Sequence, residues 1–107
     1  MTYVDLNADM GEGFGPWKMG DDAALLNIVT SANIACGAHA GDPDVMAETM
    51  ALARDKGVGI GTHPGFSDLQ GFGRRRMHIP IISLQNSIRV QVGASLGMAR
   101  ALGTKVR

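Results

Sequence analysis

The stretch that decides the fold is Ser31–Pro43, SANIACGAHAGDP. It begins with a short apolar segment, Ala32–Cys36, and continues into a glycine-bounded turn, Gly37–Gly41, that carries His39. Asp42-Pro43 then marks a helix start, because aspartate caps free backbone N–H groups and proline needs no hydrogen bond at the first helical position. We therefore predict a strand, a turn and a helix, with a histidine where α/β folds collect ligands and catalytic groups.

The same strand-then-helix pattern recurs on both sides of this stretch. Alternation of strands and helices predicts parallel strands joined by right-handed crossovers. The predicted strands are Tyr3–Ala8, Ala32–Cys36 and Val58–Thr62, with a fourth beginning at Thr104–Arg107. The predicted helices run from Asp21-Asp22 to Val29, from Pro43 to Lys56, and from Leu84 to Leu102 with Ser83 as N-cap. A long loop, Phe66–Ile82, exceeds normal connection lengths, which favours a functional loop.

Three parallel strands leave an open sheet edge, which folds of this class avoid. We therefore predict that residues 1–107 are a single N-terminal portion of an incomplete (β/α) TIM-like barrel domain. The open edge also predicts self-association of the chain on its own. In the third helix we expect the buried stripe to consist of Leu84, Ile88, Val92, Leu96 and Ala99.

Composition and charge narrow the classes of function. The 107 residues are 45% hydrophobic and 19% charged, which is typical of soluble globular proteins. Ten basic and ten acidic residues balance, so no overall field favours nucleic acid or an anionic membrane. No apolar run approaches the roughly 20 residues of a membrane helix, and the N-terminus lacks the pattern of a signal peptide. With Cys36 as the single cysteine, these features predict a cytoplasmic location.

Polar side chains stand at the carboxyl ends of all three predicted strands. Asn7, Asp9 and Glu12 follow the first strand, His39 and Asp42 the second, and His63 and, further on, Asp68 the third. These ends converge at one mouth of a parallel barrel, where carboxylates and imidazoles bind a divalent metal or act as a general acid–base pair. Each histidine also has a simpler interpretation, as a hydrogen-bonded loop residue with no catalytic role.

Other residues carry chemistry with a comparable structural alternative. The glycines of Gly11–Gly15 fit a phosphate-binding loop or merely a tight turn. The run Arg74–Arg76 fits an anion clamp or a solvated loop. Asp42 is predicted to be a helix cap, Cys36 and His78 to be structural, and Asp5 to be a buried partner that orients another polar group.

Three long motifs carry a family resemblance across essentially the whole chain. They are DLNADMGEGFG at Asp5–Gly15, TSANIACGAHAGDP at Thr30–Pro43 and GTHPGFSDLQGFGRR at Gly61–Arg75. In order and in sequence they resemble the LamB/YcsF family of 5-oxoprolinase A subunits. Ala38 stands where the family usually has phenylalanine, and Val90 where it usually has tyrosine; neither departure removes a candidate acid, base or arginine.

The resemblance implies a (β/α) barrel like that of the glycoside hydrolase/deacetylase group, in a longer chain. It implies cleavage of 5-oxo-L-proline to L-glutamate with ATP hydrolysis, together with partner subunits B and C. From strand-end position, we assign catalysis to Asp9, Glu12, His39 and His63, and binding of substrate or ATP to Asn7, Gly13, Arg74 and Arg75. A divalent metal, Mg²⁺ or Zn²⁺, would be bound by Asp9, His39 and His63.

Two other functions remain open at this point. One is a metal-dependent, deacetylase-like hydrolase that works without ATP. The other is a non-catalytic truncated or assembly module whose open sheet edge pairs with another copy. Under the main interpretation, the 107-residue chain alone is expected to be inactive.

Overall fold

A computed structural model describes residues 1–107 and contains the three strands and three helices in the predicted order. The elements are β1 (Asn7–Met10), α1 (Asp22–Leu25), β2 (Ser31–Ala35), α2 (Pro43–Asp55), β3 (Gly59–His63) and α3 (Ile81–Ala101). None of the helices combines the length and the apolar character that a membrane span requires.

The three strands form one parallel sheet in the order β1-β2-β3, as the alternation of strands and helices predicts. Asn7 pairs with Ser31 at one end of the first ladder, and Ala35 pairs with His63 at the end of the second. Beyond β3, Val106 forms a parallel bridge with Ile60, so the last residues begin a fourth strand at this edge. The prediction of a partial (β/α) barrel is confirmed.

The first strand lies further along the chain than its predicted bounds of Tyr3–Ala8. Val4 and Leu6 are 71% and 49% exposed, whereas Met10 is 1% exposed. The ladder begins only at Asn7 because the partner strand begins at Ser31. This shift moves Asp9 from a loop into β1 itself.

Helix α1 has a single turn and does not extend to Val29 as predicted. The Asp21 side chain caps it by accepting a hydrogen bond from the Ala24 amide. Beyond Leu25 the chain forms tighter turns with hydrogen bonds between residues three apart: Asn27 donates to the Ala24 carbonyl and Ile28 to that of Leu25. The tighter turns bring the chain back to the start of β2 within a few residues.

Helix α2 closely matches its prediction. Asp42 caps it by accepting from the Val45 amide at 2.9 Å, and Pro43 begins the first turn. Its buried face packs on the sheet and consists of Met46, Thr49, Met50 and Ala53. The three apolar residues of this face belong to a core of ten buried apolar residues, whose other members are Met10, Leu26, Ala32, Ile34, Val58, Ile60 and Ala99.

Helix α3 departs from its prediction in both its start and its face. It begins at Ile81 with Pro80 as N-cap, so Ser83 lies inside the helix and caps nothing. Its buried residues are Gln91, Ser95 and Ala99, whereas Ile88 and Leu96 of the predicted stripe are 40% and 51% exposed. The helix therefore turns a mainly polar face to the loop and sheet, and leaves an apolar face uncovered.

A candidate active site at the carboxyl ends of the strands

Four of the predicted residues converge at the carboxyl ends of the strands. Glu12 follows β1, His39 lies in the turn between β2 and α2, and His63 ends β3. The His39 and His63 rings are 4.5 Å apart between centroids. His39 Nε2 lies 3.5 Å from Glu12 Oε2, and His63 Nδ1 lies 3.6 Å from Asp9 Oδ1. The parallel sheet therefore brings together side chains that are up to 54 residues apart in sequence, from Asp9 to His63.

His39 lies at the centre of this cluster and is 4% exposed. Phe72 packs the edge of its ring against the imidazole, with 5.4 Å between centroids. Gly65 and Gly73 approach so closely that a methyl group on either would lie 2.7 Å from a His39 atom, Nδ1 and Cβ respectively. The loop after β3 thus encloses the imidazole, and it does so partly with residues that have no side chain.

The buried imidazole nitrogens of the cluster have no hydrogen-bond partner. These are Nδ1 and Nε2 of His39 and Nδ1 of His63. Burial lowers the pKa of His39, and the neighbouring His63 lowers it further, although Glu12 and Asp9 act in the opposite direction. The neutral imidazole is therefore favoured, and its free lone pair is available to accept a proton or bind a cation.

Asp9 and Asn7 belong to a polar layer on the exposed face of the sheet. Asn33 of β2 donates from Nδ2 to Asn7 Oδ1 at 2.7 Å and to Asp9 Oδ1 at 3.1 Å. Asn7 in turn donates to Ser31 Oγ at 2.8 Å. This face lines an open groove of about 690 Å³ that also includes Gly61. In a closed barrel the same face is the interior.

Gly13 lies in the loop after β1, where the structure favours a tight turn. Phe14 and Trp17 exchange two backbone hydrogen bonds of 2.9 and 3.0 Å. The amide of Gly15 donates to Asp42 at 2.7 Å, which ties this loop to the cap of α2. Gly13 itself is buried, and a methyl group there would lie 3.2 Å from the Trp17 carbonyl oxygen.

The two candidate arginines have different surroundings. Arg75 forms a forked ion pair with Asp68, whose carboxylate is buried, and Arg75 Nε lies 3.0 and 3.1 Å from the two carboxylate oxygens. This pairing lowers the pKa of Asp68. Arg74 instead lies over the ring of Phe72, 5.6 Å from its centroid. It lines a cavity of about 130 Å³ together with His39 and His63, so Arg74 is the arginine at the site.

The site environment also includes Asp68, which the sequence places among the polar residues beyond the third strand, and Gln91, to which the sequence assigns no role. Gln91 of α3 clamps the backbone of Gly65: Nε2 donates to the Gly65 carbonyl, and Oε1 accepts from the Gly65 amide, each at 2.9 Å. The sequence signal for Gln91 was only a polar residue within a predicted helix, and its burial is visible only in the structure. For Asp68 the signal was an acid seven residues before an arginine in a long loop.

The remaining sequence predictions have clear outcomes. Asp42 is a helix cap, as predicted, and His78 is exposed and lies outside the cluster. Cys36 is half-buried with Sγ 3.2 Å from Ser95 Oγ, which suits a structural role. Asp5 does accept hydrogen bonds from Thr30 and Ser31, but it is exposed, so its predicted burial is wrong.

Comparison with known proteins now identifies the family. The model of the LamB/YcsF family matches residues 4–107. The chain belongs to the LamB/YcsF family. A protein of Ruegeria pomeroyi, named as the A subunit of 5-oxoprolinase, is 76% identical over all 107 residues. One of Nocardia farcinica with the same name is 59% identical over 103 residues.

A solved LamB/YcsF-like structure supports the fold. The crystal structure of a lactam utilization protein from Thermus thermophilus superposes with a TM-score of 0.95 at 42% identity and covers 99% of this chain. The chain covers 43% of that structure and 42% of the Ruegeria relative. It therefore spans about two fifths of the length of the LamB/YcsF proteins to which it is similar.

Proposed function

We propose that this chain is the N-terminal part of a 5-oxoprolinase A subunit, which cleaves 5-oxo-L-proline to L-glutamate with hydrolysis of ATP. The names of the LamB/YcsF relatives support the lactam as substrate. The observation that carries the proposal is the cluster of two imidazoles, each with a buried nitrogen that has no hydrogen-bond partner, beside Glu12 and Asp9 at the strand ends. Because the reaction consumes ATP, we place the protein in the cytoplasm, where it acts with subunits B and C.

The chemistry explains why ATP is required. An unstrained lactam is a poor electrophile, and water attacks its carbonyl carbon slowly. Transfer of the γ-phosphoryl group of ATP to the lactam oxygen makes that carbon more electrophilic. One water molecule then adds to that carbon, and the ring C–N bond breaks to leave an acyl phosphate. A second water molecule hydrolyses the acyl phosphate to glutamate and phosphate. The balance is 5-oxoproline, ATP and two water molecules giving glutamate, ADP and phosphate.

The residues of the cluster fit the proton transfers of this sequence. We assign activation of the attacking water to His39 and His63, because burial favours the neutral form of His39, whose lone pair can accept a proton or bind a cation. Glu12 beside His39 and Asp9 beside His63 stabilise the positive charge that a proton or a cation brings to the imidazoles. Arg74 lies beside the cavity and binds the carboxylate or phosphate of the substrate.

The test is release of glutamate from 5-oxoproline in the presence of subunits B and C, with and without ATP. This chain is compared with the same chain extended to the length of its relatives. We expect activity only in the extended chain and only with ATP. His63→Gln in that chain should abolish the activity, whereas His78→Gln, the same change at an exposed position outside the cluster, should not. Absence of ATP-dependent glutamate release from the extended chain would refute the proposal.

A second candidate, an ATP-independent deacetylase-like hydrolase, is favoured by one observation. Glu12, His39 and His63 present one possible metal-ligand atom each within 4.8 Å of one another. This function predicts zinc-dependent release of acetate from N-acetyl sugars without ATP. Glutamate release that depends on ATP distinguishes the proposed function from this alternative.

A further inference from the structure

We propose that Glu12, His39 and His63 bind one divalent transition-metal ion, and that Zn²⁺ fits this ligand set best. One ligand atom from each residue lies within 4.8 Å of the other two. The three residues come from three separate strand ends, so the parallel sheet itself creates the cluster. Each end is held in place by the ladder next to it.

The burial of the unpartnered nitrogens is the second and independent observation. His39 is 4% exposed, yet neither of its ring nitrogens forms a hydrogen bond. Nδ1 of His63 is also buried and has no hydrogen-bond partner. Buried polar atoms without partners are costly and uncommon in folded proteins. A cation bound between the two rings and the Glu12 carboxylate supplies a partner for one nitrogen of each ring.

The chemistry of the ligands selects the ion. Two imidazoles and one carboxylate match the three-ligand sets of catalytic zinc sites, which leave a further position for water or substrate. Mg²⁺ prefers oxygen ligands alone and keeps several waters, so two imidazoles disfavour it. Bound at this place, Zn²⁺ would lower the pKa of a coordinated water and polarise a carbonyl oxygen.

The proposed ligand set differs in one member from the metal set predicted from sequence. Asp9, predicted as a ligand, lies 3.6 Å from His63 Nδ1 and already accepts a hydrogen bond from Asn33. Glu12, 3.5 Å from His39 Nε2, takes its place as the carboxylate ligand. We therefore leave Asp9 outside the ligand set, because its Oδ1 already has Asn33 as a partner.

This inference rests on the cluster used in the proposed function, but it is measured without substrate, ATP or partner subunits. The test is isothermal titration of Zn²⁺ into the protein at its full encoded length, stripped with a chelator and with any polyhistidine tag removed. We expect one Zn²⁺ per chain and little binding of Mg²⁺. Substitution of Co²⁺ should give a visible absorption spectrum typical of nitrogen and oxygen ligands.

Matched variants assign the ligands. Glu12→Gln, His39→Gln and His63→Gln should each weaken Zn²⁺ binding by at least about tenfold. Glu48→Gln and His78→Gln make the same chemical changes at exposed positions outside the cluster and should leave binding unchanged. Asp9→Asn should weaken it less than Glu12→Gln does.

Circular dichroism of each variant separates loss of a ligand from loss of the fold. If His39→Gln unfolds the protein, Glu12→Gln and His63→Gln, at less buried positions, still decide the matter. No stoichiometric Zn²⁺ binding, or binding that Glu12→Gln and His63→Gln leave intact, overturns the inference. Either result leaves the lactam assignment untouched, because ATP-dependent glutamate release is assayed separately.

Discussion

At the scale of single residues, the absence of side chains shapes the site as much as their presence. Gly65 and Gly73 lie against different atoms of His39, where a methyl group would approach it to 2.7 Å. Phe72, next to Gly73 in the chain, has a positive φ of 56°, which is strained for an aromatic residue. In this conformation the loop places the edge of the phenyl ring on the imidazole.

We predict that Gly65→Ala displaces His39 and destabilises the protein by about 1–3 kcal/mol, because the new methyl group overpacks a closed site. Glutamate release should fall with it. Gly93→Ala is the matched control: Gly93 lies in α3 with open space around it, so alanine there should stabilise by about 0.5–1 kcal/mol. Chemical denaturation measures the free energy of unfolding of the two variants, and equal values for both would contradict the prediction.

The ion pair of Asp68 with Arg75 makes the loop sensitive to acid. Arg75 lowers the pKa of Asp68 below its ordinary value, so the pair contributes stability above the unfolded pKa of about 4. That contribution is lost as pH falls through the lower folded pKa. Arg75→Gln should flatten the decline in stability between about pH 5 and pH 2, whereas Arg76→Gln should not. Identical pH profiles for wild type and Arg75→Gln would contradict this account.

At the scale of elements, the contact between α3 and the loop after β3 depends on Gln91. Its amide pairs with both backbone groups of Gly65 and also donates to Ser87 Oγ at 3.1 Å. The residue is 5% exposed. The helix thereby holds the glycine that encloses His39, and Gln91 acts as a positioning residue through that backbone.

We predict that Gln91→Glu destabilises the protein by about 1–3 kcal/mol, because a carboxylate cannot donate to the Gly65 carbonyl and places one of its buried oxygens against that carbonyl oxygen. Gln85→Glu, the same change at an exposed position of α3, should have little effect. Thermal unfolding measures the stability, and NMR of the His39 ring protons reports a shift in its environment. An unchanged His39 signal in Gln91→Glu would show that the clamp does not position the imidazole.

At the scale of the whole molecule, the sheet and α3 both present uncovered surfaces. The outer edge of β1 has no neighbouring strand. Ile81, Ile88 and Leu96 of α3 are 70%, 40% and 51% exposed. Such edges and apolar faces favour pairing with another chain.

We therefore predict that the isolated 107-residue chain self-associates, whereas the chain extended to the length of its relatives does so less. Light scattering coupled to size-exclusion chromatography measures the molar mass of each of the two chains in solution. The association should persist when His39 and His63 are changed to alanine, because the uncovered surfaces lie elsewhere. A monomer that melts sharply would contradict the prediction.

Local sequence signals determined much of this protein. The start of α2 at Asp42-Pro43 and the order of strands and helices follow from capping chemistry and from alternation of apolar segments, which act over a few residues. Parallel strands then required Asp9, Glu12, His39 and His63 to share one end of the sheet. These features were predictable because each depends on short-range chemistry or on a general rule of chain connection.

Only the tertiary structure decided which surfaces became buried and which polar groups found partners. Ala99 of the predicted apolar stripe of α3 is buried, but Ile88 and Leu96 are exposed, and Gln91 and Ser95 are buried instead. The reason is that this part of the helix faces the backbone of the loop after β3. Arg75 pairs with Asp68 while Arg74 faces the cavity, although the two are adjacent in sequence. Such choices depend on distances between segments far apart in the chain, and periodicity along the chain contains no information about them.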